Sequence, residues 1–259
     1  MQRTGKARAP TFETLAEAAV DTIRNRILDM TLEPGSRVDA PLLMKQFKLS
    51  RTPAREALNR LAAEGLVVLH ANRGAYVRRL DFDDIHALFD VYFVEERMLG
   101  HFCNFGDAGL TADLERIHLA HQEATRARRH LDVTLLNSEF HHRIAASSAN
   151  AYIQEFAHRI HNHFRRLAFY TYQLEARIPE VFEGQFELKI ERITDEHAQI
   201  IAAIRGKNRE LLIAKLVGHA QRAQDRLLAI INASQGRDFV LPPAKPPQVA
   251  SRDSRRKPG

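Results

Sequence analysis

The sequence has few of the residues that crosslink a chain or carry it across a membrane. Its 259 residues include one cysteine, Cys103, and no tryptophan. A single cysteine excludes an internal disulfide framework and fits a reducing compartment. No apolar run approaches the length of about 18 residues that a membrane span needs, and residues 1–6 lack the apolar segment of a signal peptide. We therefore expect a cytoplasmic protein without membrane contact.

Excess positive charge is confined to the two ends of the chain. Residues 1–80 contain 14 Lys and Arg against 8 Asp and Glu, whereas residues 81–234 contain 18 against 22. Residues 235–259 contain 6 against 2, and the net charge of the whole chain is +6. A basic head on an acidic body is typical of a protein whose head contacts phosphate. The length is sufficient for two domains with separate cores.

Residues 49–58 carry the strongest indication of function. They predict a helix that begins near Arg51, Thr52 and Pro53, because proline is favoured in a first helical turn. Arg51 and Arg55 lie four residues apart and therefore share a face at the start of this helix. Two guanidiniums in that place suit base edges and phosphates in a DNA major groove. The alternative is a solvated surface helix with scattered arginines.

The flanking segments complete a winged helix-turn-helix. Residues 16–30 show helical apolar spacing and end in a Pro-Gly turn, and residues 41–47 form a short second helix. After the third helix, two strand-like runs at 66–69 and 75–77 surround a plausible hairpin turn at 71–74. Three helices and a small β-hairpin make up this fold.

The rest of the chain is predicted to be helical, so the fold class is mainly α. The helices are expected to form an antiparallel six-helix bundle, at 82–104, 110–130, 132–148, 150–174, 185–205 and 208–233. The predicted organisation is a flexible N-terminus at 1–10, a winged helix-turn-helix at 11–79, an all-helical domain at 80–234, and a disordered basic tail at 235–259.

Thirteen histidines occur, and most lie in the helical part. Asn137 and His141 are one helical turn apart, while His197 and His219 lie on two later helices. Three imidazoles and a side-chain oxygen suit a divalent transition metal, although the same spacing also fits ordinary core or surface histidines. The other histidines expected to be ordinary surface or partly buried residues are His118, His121, His130, His158, His161 and His163.

Residues 14–79 resemble the DNA-binding domain of the GntR family of bacterial transcription regulators. The matching elements are Pro34-Gly35, residues 50–58, Leu61-Ala62, Glu64-Gly65-Leu66 and Arg73-Gly74. The resemblance implies that a double-stranded DNA operator is contacted by Arg51, Thr52, Pro53 and Arg55, with Arg73 and Gly74 at the minor groove. Pro41 lies at the start of the second helix, where many relatives carry an Arg or Lys that contacts DNA, so that contact is expected to be absent here.

Residues 82–233 resemble the FCD ligand-binding domain of the FadR-like subfamily. The family motif is an acid, three residues and a histidine, followed by two later histidines; here it is Asn137, His141, His197 and His219. The resemblance implies that these residues bind Zn, Ni or a similar divalent transition metal, whose open positions receive a small carboxylate effector. Asn137 replaces the usual Asp. Tyr92 is placed in the effector pocket, where many relatives have an arginine that pairs with the carboxylate.

Together these features predict a homodimeric, nucleoid-associated transcription regulator rather than an enzyme. We expect a repressor that binds a palindromic operator and responds to an organic acid. One alternative is a metal-dependent enzyme at the histidine site, with Glu139 or Glu196 as the general base. Another is a regulator whose histidine-bound metal is purely structural.

Overall fold

The computed structural model describes residues 12–71, 73–79, 81–177 and 186–233. We call residues 12–79 the head and residues 81–233 the body. The described chain is mainly helical, as the sequence predicts. None of the helices that the structure describes combines the length and apolar character needed to span a bilayer.

The head contains three helices, α1 (Phe12–Leu28), α2 (Ala40–Phe47) and α3 (Arg51–Ala63). The side chain of Asp39 accepts a hydrogen bond from the backbone N–H of Leu42 and so caps the start of α2. Apolar faces of all three helices meet in one core, which includes Ile23, Ile27, Leu43, Ala54, Leu58 and Leu61. The core leaves the opposite face of α3 open to solvent.

A two-stranded hairpin completes the head. Strand β1 (Val67–His70) pairs antiparallel with β2 (Gly74–Val77), and His70 lies opposite Gly74. Gly74 has a φ of +94°, a conformation that favours glycine at the turn. The predicted combination of three helices and a small hairpin is therefore confirmed.

The body contains six described helices, as predicted. They are α4 (Phe82–Phe102), α5 (Leu110–Arg126), α6 (His130–Ser147), α7 (Ala151–Arg177), α8 (Phe186–Arg205) and α9 (Arg209–Ala233). Asp81 caps α4 by accepting a hydrogen bond of 2.8 Å from the backbone N–H of Asp84. Helix α5 ends four residues before its predicted end at 130, because Arg128 adopts a left-handed conformation with φ of 55°.

Three predicted features lie outside the described residues. They are the flexible N-terminus at 1–10, the break at 179–184 that precedes α8, and the basic tail at 235–259. The predicted domain limits at 79–80 and 234 remain predictions.

The head contacts the body through two hydrogen bonds from α7 to its main chain. The Nε2 atom of His163 donates to the Glu64 carbonyl at 3.1 Å, and Arg166 donates to the Arg78 carbonyl. Gly65 has a φ of +76°, and a Cβ at that position would lie 3.1 Å from Nε2 of His163. A glycine is therefore suited to this position both by its conformation and by the closeness of α7.

Candidate functional site

The arginines at the two ends of α3 have different surroundings. Arg51 and Arg55 are exposed at its start, and neither has an ion-pair partner among the described residues. Arg60 in the last turn is instead paired at 2.6 Å with a glutamate one turn earlier. Exposed Thr52 and half-buried Pro53 occupy the first turn beside Arg51. The start of α3 therefore presents two unpaired positive charges to solvent, as a DNA-contacting surface requires.

The hairpin adds a further exposed arginine to the head. Arg73 lies at the turn, and its carbonyl accepts a hydrogen bond of 3.1 Å from the hydroxyl of Tyr76. Arg37 forms an isolated β-bridge with Tyr76 and thereby extends the sheet. These contacts fix the turn that carries Arg73 and Gly74, the two residues predicted to contact a minor groove.

The four predicted metal ligands lie together inside the body. Asn137 and His141 come from α6, His197 from α8 and His219 from α9. One ligand atom from each of the three imidazoles lies within 4.8 Å of the others. The Asn137 Oδ1 atom is 3.3 Å from Nε2 of His219. We call these four residues the three-histidine site; their role as metal ligands remains a prediction.

A carboxylate holds one of these imidazoles in place. The Oε2 atom of Glu196 lies 2.7 Å from Nδ1 of His219, and Arg222 donates to the other oxygen of Glu196. With Nδ1 engaged, Nε2 of His219 is the nitrogen directed to the site, an arrangement typical of metal-binding histidines. Both oxygens of Glu196 therefore have partners within the body, and Glu139, the other residue named as a possible general base, is exposed.

The buried imidazoles are in the form that binds a metal. Complete burial lowers the pKa of both His141 and His197 well below the usual histidine value, so both are neutral at pH 7. The His197 ring stacks on Phe140 at 4.2 Å, and neither of its ring nitrogens has a hydrogen-bond partner within the described chain. These two imidazoles, the His219 imidazole held by Glu196 and the Asn137 amide oxygen fit a divalent transition metal.

A second polar group extends from His141 towards α4 and α7. The Nδ1 atom of His141 lies 2.8 Å from Oε1 of Glu96. Nε2 of His161 lies 3.3 Å from Oε2 of Glu95 and 3.8 Å from Oε1 of Glu96. All four side chains are fully buried. We call Glu95, Glu96, His141 and His161 the carboxylate group.

The surroundings disfavour charge on every member of this group. Burial raises the pKa of Glu96 to about 7 and that of Glu95 well above the usual glutamate value. Burial also lowers the pKa of His161 to about 4. Tyr92, the predicted effector-pocket residue, lies beside the group with its ring 5.4 Å from that of His161 and stacked on Phe164 at 4.1 Å.

The prediction for the remaining histidines is only partly correct. It is confirmed for His130, His158 and His163, which are exposed or half-buried. It is wrong for His118, His121 and His161, which are buried. The reason is that α5 and α7 turn these faces to the centre of the body; the ring of His121 lies 4.9 Å from that of His197.

Glu95 and Glu96 were not among the residues singled out from the sequence. The sequence does contain an indication that Glu96 is buried, because it occupies one position of an otherwise apolar stripe of α4 whose members recur at intervals of four and three residues. The stripe is Ile85, Phe89, Tyr92, Glu96, Leu99 and Cys103. A glutamate in an otherwise apolar stripe indicates a buried partner or ligand.

Comparison with known proteins agrees with both halves of this architecture. Residues 15–77 match the family described as bacterial regulatory proteins, gntR family, and residues 92–222 match the FCD domain. The Nta operon transcriptional regulator of Aminobacter aminovorans is 28% identical over 206 residues, which cover 78% of this chain and 89% of that protein. The gluconate operon transcriptional repressor of Bacillus licheniformis is 30% identical over 199 residues, covering 75% and 77%.

A solved structure shares the fold. The Escherichia coli protein McbR/YncC superposes with a TM-score of 0.67 at 21% sequence identity, covering 83% of this chain and 97% of the other. The arrangement of a winged head on a helical body is therefore common to both.

Proposed function

This chain belongs to the GntR family of bacterial regulatory proteins and is a transcription regulator, and from that premise we propose how it works. It binds a palindromic operator as a homodimer and represses transcription, and a small organic acid bound at a metal in the body changes its affinity for DNA. The observation that carries this proposal is the presence, in one chain, of a free arginine surface and a buried three-histidine site. The name of the Bacillus licheniformis relative supports the role of repressor.

The start of α3 is the part that reads the operator. Arg51 and Arg55 extend from one face into the major groove, with Thr52 and Pro53 against the sugar-phosphate backbone. Arg73 and Gly74 at the hairpin turn contact the adjacent minor groove. A two-fold dimer presents two such heads, so the operator has matching two-fold symmetry.

The three-histidine site is the proposed effector site. His141, His197 and His219 hold Zn²⁺ or Ni²⁺ together with the Asn137 oxygen, and the ion supplies open positions for a carboxylate oxygen. Asn137 is neutral, so the ion keeps more positive charge than beside an aspartate and attracts an anion more strongly. Tyr92 offers a phenolic hydroxyl, which is a single donor instead of an arginine fork.

Helix α7 is the proposed connection between the two sites. It places His161 beside His141 in the body, and it places His163 and Arg166 against the main chain of the head. An effector that binds one arrangement of the body more tightly than another shifts α7 and with it the head. The result is a change in the spacing or orientation of the two recognition helices.

A thermal-shift screen of small organic acids tests the effector proposal. With Zn²⁺ bound, the cognate acid at about 100 times its Kd stabilises the protein by about 2.7 kcal/mol, or about 5–10 °C in melting temperature. With a chelator present, the same acid has no effect. If no acid shifts the metal-loaded protein, the effector is not a carboxylate; if chelator unfolds the protein and acids never act, the metal is structural.

The dimer proposal rests on an exposed apolar strip of α4. Val91 and Val94 lie three residues apart on one face, and Val94 is 61% exposed. In a two-fold interface Val94 of both protomers is buried, so the substitution acts twice. Val94→Glu therefore weakens association by roughly 3 kcal/mol or more, which raises the dimer dissociation constant about 100-fold. Sedimentation equilibrium at micromolar concentration measures this change.

The matched control is Leu119→Glu on α5, since Leu119 is 63% exposed and equally apolar. This control remains as dimeric as the unmodified protein. Equal dissociation constants for Val94→Glu and the unmodified protein would place the interface elsewhere.

A further inference from the structure

The carboxylate group has no Lys or Arg partner among the described residues. The ion-pair contacts that the described residues make with Glu95 and Glu96 come only from His141 and His161. The Tyr92 hydroxyl faces Glu96, but within the described chain no oxygen of the two carboxylates has a hydrogen bond of acceptable alignment. Two adjacent buried carboxylates without a cation to balance their charge are costly.

We propose that the carboxylate group is a second divalent-cation site, so that each chain holds two ions in its body. Its ligands are the carboxylates of Glu95 and Glu96, Nε2 of His161 and Nδ1 of His141. The ligand atoms of Glu96, His141 and His161 already lie within 4.8 Å of one another. Two carboxylates and two imidazoles favour a harder ion than the three-histidine site does, and Mn²⁺ or Fe²⁺ suits them.

His141 connects the two sites. Its ring lies between two other imidazoles, stacked 4.6 Å from His161 on one side and 5.3 Å from His219 on the other. Its Nδ1 atom is directed to Glu96, which leaves Nε2 for the three-histidine site. An imidazole can bind two ions through its two nitrogens as an imidazolate, which forms when the second ion displaces the remaining N–H proton to solvent.

A second ion explains two features of this chain. It holds Glu95 and Glu96 as carboxylates despite their burial, and it places positive charge beside Tyr92, where the family arginine is absent. This consequence for the effector rests on the proposed function, whereas the second cation site itself does not.

Metal stoichiometry of the full-length chain tests the proposal. Protein incubated with Zn²⁺ and Mn²⁺ and then freed of unbound ions contains two ions per chain by mass spectrometry of the elements. Glu96→Gln keeps the shape of the side chain, removes one ligand charge and reduces the content to one ion. His219→Gln, which alters only the three-histidine site, also retains one ion, namely the Mn²⁺ that Glu96→Gln loses. Unchanged melting temperatures in the presence of chelator confirm that both variants are folded.

Electron paramagnetic resonance of Mn²⁺ provides a second measurement that needs no variant. The unmodified protein, with Zn²⁺ already bound, shows one immobilised Mn²⁺ per chain. No immobilised Mn²⁺ in the unmodified protein, or two ions in Glu96→Gln, overturns the second site. If His219→Gln loses no ion while Glu96→Gln loses one, the proposed first site fails and the second remains.

Discussion

Replacing Arg51 or Arg55 with alanine lowers the affinity for the operator by about 10- to 100-fold each, because a good contact to a base edge contributes roughly 1–3 kcal/mol. Both guanidiniums are exposed and unpaired among the described residues, so neither substitution breaks an internal contact. The operator is first obtained by selecting duplexes from a random library with the unmodified protein. Fluorescence anisotropy then gives the dissociation constants at a fixed salt concentration.

Arg60→Ala is the matched control for this prediction. Arg60 lies on the same helix but pairs with Glu56 in the last turns of α3. Its loss removes the same charge from the head and changes operator affinity by no more than a few-fold. If all three variants weaken binding equally, α3 contributes charge and not recognition. Unchanged affinity in both Arg51→Ala and Arg55→Ala would remove α3 as the reading helix.

Replacing His219 with alanine lowers the affinity for Zn²⁺ by at least about 100-fold. Apparent binding energies of four-ligand zinc sites are about 10–16 kcal/mol, so each ligand contributes several kcal/mol. Glu196→Gln acts through the orientation of His219 and lowers the affinity less, by about 10- to 100-fold. Competition with a fluorescent zinc chelator measures all three constants.

His158→Ala is the control, since His158 is an exposed histidine of α7. It leaves zinc affinity unchanged. A normal zinc affinity in His219→Ala would show that the metal is bound elsewhere, and a normal affinity in Glu196→Gln would show that the bond to His219 does not matter for binding.

The head could be predicted from the sequence because its signals are local. Pro53 in the first turn, the Pro34-Gly35 turn and the two strand-like runs each depend on neighbours a few residues away. The end of α5 was misplaced for the opposite reason, since Arg128 adopts a left-handed conformation without the glycine or asparagine that normally indicates one.

The body could be predicted only in part. Asn137 and His141 follow from one-turn spacing, but their approach to His197 and His219 depends on how three helices pack, which no spacing encodes. Glu95 and Glu96 were missed because glutamates are usually exposed on a helix. Their burial arises from the packing of α4 against α6 and α7, contacts that join residues far apart in the chain.

The contact between the head and α7 affects how readily the head of one such regulator can be replaced by the head of another. At both hydrogen bonds the head contributes a main-chain carbonyl, from Glu64 and Arg78, and the body contributes the side chain. Every polypeptide carries those carbonyls, so a foreign head can keep these two hydrogen bonds provided that a glycine follows the residue at position 64, whereas the ion pair of Arg78 with Asp84 depends on a side chain of the head. Recombination can therefore attach a new DNA specificity to an existing sensor without altering His163 or Arg166.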